Sequence, residues 1–261
     1  KFLKIELDIT PNRSDAFSHY GIARDISVTK ERKLSKIQIN KKQVSKNPTL
    51  NISVEDVNDC PRYVGGLVTK VSVGPSPIWM QDRLVAAGQR PINNLVDISN
   101  FVMLESGQPT HIFDYDKIES NEIHIRRAVK GDYIRTLDQN QYELNNNHLL
   151  ITDGKEPIAL AGIMGGNNSA VDDDTKNIFI ESAYFNPVTI RKSSKALATS
   201  TEASKRFERG ADPNASLEAF WRVVNLVEEY SGGVFEGDFL DYYPKKIKVD
   251  PIKIRKTEVE L

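Results

Sequence analysis

The sequence is poor in cysteine: Cys60 stands alone among 261 residues, which excludes an internal disulfide framework and a multi-cysteine metal site. Cys60 is read as structural. No window approaches the roughly 18 consecutive apolar residues that a membrane-spanning helix needs, and no apolar signal-peptide core opens the chain. Charge of one sign is lacking as well. The formal net charge is −1, whereas modules that grip nucleic acid by bulk electrostatics carry a clear basic excess. Any nucleic-acid contact is therefore local or shared. No serine sits in a nucleophile-elbow pattern, and Cys60 has no evident base beside it in sequence, so direct attack by water fits any hydrolytic role best.

What is present is an ordinary globular composition, 39% hydrophobic and 27% charged, with length for one large or two small cores. Phe2 to Ile9 alternates with period two and predicts a strand, and Ser14-Asp15 caps a helix running to about Thr29. The charged tract from Lys30 to Asn47 reads as a linker. Strands are expected over Asn51 to Val57 and Arg62 to Val73. Ser76-Pro77 reads as an N-cap followed by proline at the first helical position, opening a helix to about Ala87, and another helix covers Asn93 to Glu105. Four short strands follow, Ile123 to Ala128, His148 to Thr152, Pro157 to Ile163 and Asn177 to Ala183. Asn186-Pro187 starts a helix, and Pro213 starts a longer amphipathic one that Gly232-Gly233 stops near Tyr230. Val234 to Asp241 and Ile247 to Ile254 close as strands. The alternation is too irregular for a doubly wound parallel sheet, so the fold class is α+β, with mixed or antiparallel sheets, packed helices and two interwoven subdomains around a cleft. Three parts are expected: residues 1–48 with the first strand, helix and linker, a main module over 49–245, and a truncated entry into a next domain over 246–261. Both ends fall inside strand-like alternation, which reads as a segment of a longer chain.

Five stretches in order resemble one family, the β chain of bacterial phenylalanyl-tRNA synthetase. They are Leu7-Asp8-Ile9-Thr10-Pro11-Asn12-Arg13-Ser14-Asp15, Asn94-Leu95-Val96-Asp97-Ile98-Ser99-Asn100, Gly107-Gln108-Pro109-Thr110-His111-Ile112-Phe113-Asp114, Leu160-Ala161-Gly162-Ile163-Met164-Gly165-Gly166, and Thr201 through Gly210. Departures are small: Ser14 stands where proline is common, Thr110 where Leu or Met is usual, and Ala211 where valine is frequent. The resemblance implies the family's central editing module, which hydrolyses tyrosine from wrongly charged tRNA(Phe). It implies a cytoplasmic α2β2 assembly with an α chain, where ATP and Mg²⁺ serve aminoacylation. No cofactor and no metal are expected on this chain.

The candidate residues have plainer readings beside that one. Glu181, near the end of an apolar strand, matches the residue that recognises the tyrosine hydroxyl; a strand-end salt bridge is the alternative. A pocket that must hydrogen-bond a hydroxyl can reject the analogue lacking it by roughly 10⁴ to 10⁵, whereas an apolar pocket rejects an added hydroxyl only by roughly 10². His111 follows Gly107-Gln108-Pro109, a loop able to fix an imidazole, and matches the editing histidine. Its role is open between general base and substrate positioning, with Asp114 and Asp116 the nearest carboxylates in the chain. Gly162 and Gly165 belong to a glycine-rich turn whose N–H groups can meet an oxyanion, and Gly165 matches a pocket wall. Thr201 and Ala203 match the wall as well, although Thr201 also reads as a helix N-cap with Ser204 at the third position. Asn100 matches a cleft amide or is a helix-surface residue. Arg206, Arg209, Arg191, Lys192 and Lys195 read as solvated faces or tRNA contacts, and Asp172-Asp173-Asp174 as an exposed acidic loop. The competing function is a non-catalytic scaffold that packs subunits and guides tRNA.

Overall fold

The computed structural model describes residues 4–248, 250–255 and 257. Its strands are β1 (Asn51–Val54), β2 (Arg62–Val68), β3 (His111–Asp114), β4 (Glu122–Arg127), β5 (Tyr133–Arg135), β6 (Gln141–Glu143), β7 (Leu149–Thr152), β8 (Pro157–Leu160), β9 (Met164–Gly165), β10 (Ile178–Tyr184) and β11 (Phe239–Tyr242). The α-helices are α1 (His19–Thr29), α2 (Ile78–Ala86), α3 (Asn94–Ser106), α4 (Pro187–Ala196), α5 (Glu202–Phe207) and α6 (Ala215–Ser231). The α+β expectation holds. One antiparallel sheet runs β11-β2-β10-β3, a mixed one runs β1-β4-β7-β8-β9 with β1 parallel to β4, and β5 and β6 form a separate hairpin.

The antiparallel sheet is the middle layer. Directly opposed residues share a face and successive residues alternate, so the register separates its side chains cleanly. On one face Val64, Val68, Ile178, Ile180 and Ile112 pack with the apolar stripes of α3 and α6. On the other, Tyr63, Phe179, Ala183 and Phe113 pack with Ile123, Ile125, Leu150 and Ile151 of the mixed sheet. Gly65 and Gly66 take opposite faces in β2 because rings lie on both: an added Cβ would meet the Phe179 ring at 2.5 Å or the Phe220 ring at 2.6 Å.

Local cap chemistry places several helices where the sequence puts them. Asn93 accepts from Val96 N–H at the start of α3, Asn186 accepts from Val188 and Thr189 N–H at the start of α4, and Gly232 ends α6 in the left-handed region. Other expectations are corrected. Residues 4–10 form no strand and expose Ile5 and Leu7, because alternation marks a face but a strand also needs a neighbour for its backbone; Phe2 and Leu3 lie outside the described residues. The same holds for the expected strand from Ile247, whose described residues are irregular and which includes Val249, also outside them. Ser14 and Asp15 lie inside a single 3-10 turn with no side-chain cap, and Ser18 caps α1 by accepting from Gly21 N–H. Ser76 is not a cap either, since its hydroxyl donates to Asp97 Oδ2 at 2.5 Å and Pro77 holds the cap position without a side-chain bond. The linker has no regular structure, yet Asn40 is strapped to α6 by two hydrogen bonds with Asn225, at 2.7 and 2.8 Å.

Gly66→Ala is expected to destabilise the chain by about 1–3 kcal/mol, the usual penalty for overpacking, because its Cβ would also sit 2.9 Å from the Asp238 carbonyl oxygen. Gly74→Ala, with open space around the site, should change stability by less than about 0.5 kcal/mol. Urea unfolding of both variants checks the contrast.

Candidate active site

Four pieces of chain meet at one end of the middle sheet. β10 carries Glu181 at its centre, and β3 begins with His111 directly opposite. The pair therefore emerges on one face, the face that looks toward the mixed sheet. The loop before His111 is held rigidly. Gly107 adopts a φ of 84° as the C-cap of α3, the buried Gln108 amide donates to Ala183 O on β10 at 2.7 Å, and Ser99 of α3 donates to Thr110 O at 2.7 Å. The expectation of a loop that fixes an imidazole is met, although His111 itself belongs to a strand.

The glycine turn closes the other side. At Gly165 an added Cβ would lie 2.5 Å from His111 Nε2 and 2.6 Å from Cε1, so the imidazole rests on bare backbone. Gly162 has a φ of +67°, and a Cβ there would meet Ile190, Phe185 and Phe207, each at 3.0 Å. The N–H groups of Ile163 and Gly166 donate to Leu160 O (3.0 Å) and Ile158 O (2.8 Å), so these two are committed and do not serve an oxyanion. The β5–β6 hairpin, which sequence reasoning missed, braces the turn: Leu137 N–H donates to Gly165 O at 3.1 Å, and Thr136 bridges to Gly166.

Between these walls lies a cleft of about 60 Å³ lined by His111, Glu181, Gly162, Gly165, Ala203 and Phe207, among others. Five of the seven residues singled out from sequence thus converge. Thr201 stands one step behind the wall. Its hydroxyl donates to the carbonyl of Ile163, a lining residue, at 2.9 Å and accepts from Ser204 N–H, while Ser204 Oγ accepts from Thr201 N–H. The capping box exists, and the cap also ties α5 to the cleft. Asn100 does not line the cleft; it sits on α3, half-buried, beside the Ser99 that fixes Thr110.

Burial governs the charges. Glu181 is 6% exposed, and loss of water pushes its carboxyl up to about 8, with the nearby Tyr63 hydroxyl pulling slightly the other way. Burial thus favours the protonated carboxylic acid at neutral pH, able to donate one hydrogen bond and accept others. His111 keeps partial solvent access, yet packing lowers it to about 4. It is a neutral imidazole across the physiological range. Its ring meets the edge of Phe113 with centroids 4.5 Å apart, and among the described residues no carboxylate accepts a hydrogen bond from it. Asp114 accepts from Thr175 and Asp116 from Asn177.

The remaining candidates separate. The Cys60 thiol is fully buried and raised well above its usual range by lost hydration, as befits a structural cysteine. Arg206 does not lie on a solvated face: it is buried, paired with Glu202 at 2.9 Å, and stacked over Phe17 together with Arg209. Arg191, Lys192 and Lys195 of α4 are exposed. Asp172 pairs with Lys117 at 2.6 Å, and among the described residues no group of three His, Cys, Asp or Glu side chains is placed to hold a metal ion. No helix among them is long and apolar enough to cross a membrane. The residue missed from sequence is Tyr63, fully buried behind Glu181.

Residues 59–232 match the B3/4 domain family model, and the chain belongs to that family. Its relatives are phenylalanine–tRNA ligase beta subunits: that of Thermotoga maritima is 43% identical over 256 residues, covering 98% of this chain and 32% of the relative. The Carboxydothermus hydrogenoformans subunit is 42% identical over 256 residues with the same coverage, and that of Geobacillus kaustophilus is 46% identical over 239 residues, covering 91% and 30%. The chain thus spans about a third of the length of these relatives. An N-terminal fragment of the phenylalanyl-tRNA synthetase beta subunit from Pyrococcus horikoshii is similar with a TM-score of 0.40 and 20% identity, over 74% of this chain and 59% of that one.

A carboxyl whose folded pKa is raised contributes stability that is complete below the unfolded value and lost as pH rises through the folded one. For Glu181 that window runs from its ordinary 4.5 up to about 8, and the change amounts to a few kcal/mol, on the order of 1.4 per pH unit. Glu181→Gln should therefore gain stability relative to the parent as pH rises through that window, the His111 contribution being common to both proteins. Urea midpoints measured against pH would run parallel if Glu181 ionises freely.

Proposed function

We propose that the cleft is an editing site, which hydrolyses the ester of tyrosyl-tRNA(Phe) within a phenylalanine–tRNA ligase. The observation that carries this reading is the buried Glu181 carboxyl paired beside His111 on one sheet face, in the wall of a cleft that the imidazole, seated on the bare backbone of Gly165, and the small Ala203 side chain also line. Tyrosine differs from phenylalanine by one hydroxyl. A phenolic hydroxyl gives the Glu181 carboxyl a hydrogen-bond partner in a site that water scarcely reaches; a phenyl ring displaces that water and leaves the carboxyl unpaired, at about 1–3 kcal/mol. In this reading the tyrosine ring enters the cleft and the ester and ribose lie on its open, solvent side.

His111 acts there as a neutral hydrogen-bonding group. Its lowered basicity and the lack of an orienting carboxylate favour holding the substrate or the attacking water over removing a proton outright. The adjacent ribose hydroxyl of the substrate is the remaining group able to assist water. Within this reading residues 49–245 form the editing module, with 1–48 and 246–261 as flanks. Charging with ATP and Mg²⁺ belongs to the α chain of a cytoplasmic α2β2 assembly, and tRNA(Phe) is presented by the whole. Thr201 and Gly162 shape the wall, and Asn100 acts on the cleft only through the Ser99–Thr110 contact.

Ala203→Trp should fill the cleft, stop tyrosine release and let tyrosyl-tRNA(Phe) accumulate in the whole synthetase, while phenylalanine charging persists. A parallel collapse of charging would mark Ala203 as structural and support a scaffold role instead. Glu181→Ala should lower the preference for the tyrosyl over the phenylalanyl ester by on the order of 1 to 3 kcal/mol; unchanged preference in a folded variant contradicts the assignment. His111→Ala is expected to slow release by less than the roughly 10²-fold that begins the general-base range, and a larger loss with disappearance of an acid limb in the pH profile would restore the base.

A further inference from the structure

Tyr63 does not line the cleft, yet its place behind Glu181 is unusual. The residue opposite Glu181 on β2 is Gly65, which offers no side chain, so the nearest β2 side chains on that face are its diagonal neighbours Tyr63 and Leu67. Tyr63 is fully buried, and its hydroxyl makes no well-formed hydrogen bond with any described residue. It lies close enough to the Glu181 carboxyl for each to perturb the other's ionisation. A buried hydroxyl without a partner is rare in folded proteins, and one that points to a carboxyl has an evident use.

We propose that Tyr63 is a positioning residue of the cleft: its hydroxyl donates to one oxygen of the Glu181 carboxyl and leaves the other oxygen turned to accept from the phenolic hydroxyl of the substrate. The inference rests on the editing reading given above. Two donors converging on one carboxyl favour its ionised form, and charge-assisted hydrogen bonds are stronger than neutral ones. With Tyr63 holding one oxygen, arrival of the phenolic donor at the other lets the carboxyl release its proton to solvent at the cleft mouth and become the acceptor that reads tyrosine. The other titratable groups facing Glu181 are few. His111 stands opposite on β3, Cys60 lies behind, and β8, β9 and α5 bring no titratable side chain to the cleft.

The test is the ratio of tyrosyl to phenylalanyl ester hydrolysis by the whole synthetase, followed against pH for the parent, Tyr63→Phe and Glu181→Ala; base-catalysed background cancels in the ratio. In the parent the ratio rises with pH through the Glu181 ionisation. Tyr63→Phe keeps the ring and its packing, and it should move that rise upward by about one pH unit and lower the ratio several-fold at neutral pH. A merely structural role would leave the midpoint where it is. If Glu181→Ala abolishes the preference while Tyr63→Phe leaves the midpoint in place, the positioning role is overturned and the editing site stands. If Glu181→Ala leaves the preference intact, the editing reading falls and this inference falls with it.

Discussion

The strand Ile178–Tyr184 is paired along both edges and packed on both faces, and the state of Glu181 follows from that confinement. A carboxyl in such a strand has no route to bulk water except the cleft beside it. Ionisation there is costly because, among the described residues, no cation lies opposite: its neighbours are a glycine, a neutral imidazole and a phenol. Placing an acid there serves no packing purpose, since the surrounding Phe113, Phe179 and Ala183 would accommodate an apolar side chain.

Most of the surrounding architecture keeps that small space both narrow and open. Gly165 lets the imidazole approach the backbone, and the β5–β6 hairpin and the Thr201 cap hold the turn that carries it. Gln108 and Ser99 anchor the residues before His111 to β10 and α3. These hydrogen bonds come from separated parts of the chain, so the distance across the cleft is set by several elements together. Such over-determination fixes the geometry that a site of the proposed kind, separating two ligands by one hydroxyl, requires.

How much of this was legible in the sequence depended on the range of the interaction. Caps are local, so Asn186, Thr201 and Gly232 could be read directly. The strand expected over Phe2 to Ile9 does not form among its described residues because alternation alone does not supply a neighbouring strand, and β5 and β6 escaped because three-residue strands carry no measurable period. Ser76 looked like a cap until a partner 21 positions away, Asp97, claimed its hydroxyl. Within the cleft, His111, Glu181, Gly162, Gly165 and Ala203 were reached through family resemblance, and the structure brings them together. Tyr63 was invisible because its meaning lies in the register between β2 and β10, which no local pattern encodes. Arg206 shows the reverse case, a charge run whose ends fold inward over Phe17.

The account turns on whether the Glu181 carboxyl meets the hydroxyl of a bound tyrosyl group. The most direct measurement is a crystal structure of the synthetase with a non-hydrolysable tyrosyl-adenosine amide, alongside the phenylalanyl analogue. The phenolic oxygen should lie within hydrogen-bonding distance of Glu181, with the ring between Gly165 and Ala203 and the amide near His111, while the phenylalanyl analogue leaves the cleft empty. A tyrosyl group bound elsewhere, or both analogues occupying the cleft equally, would contradict it.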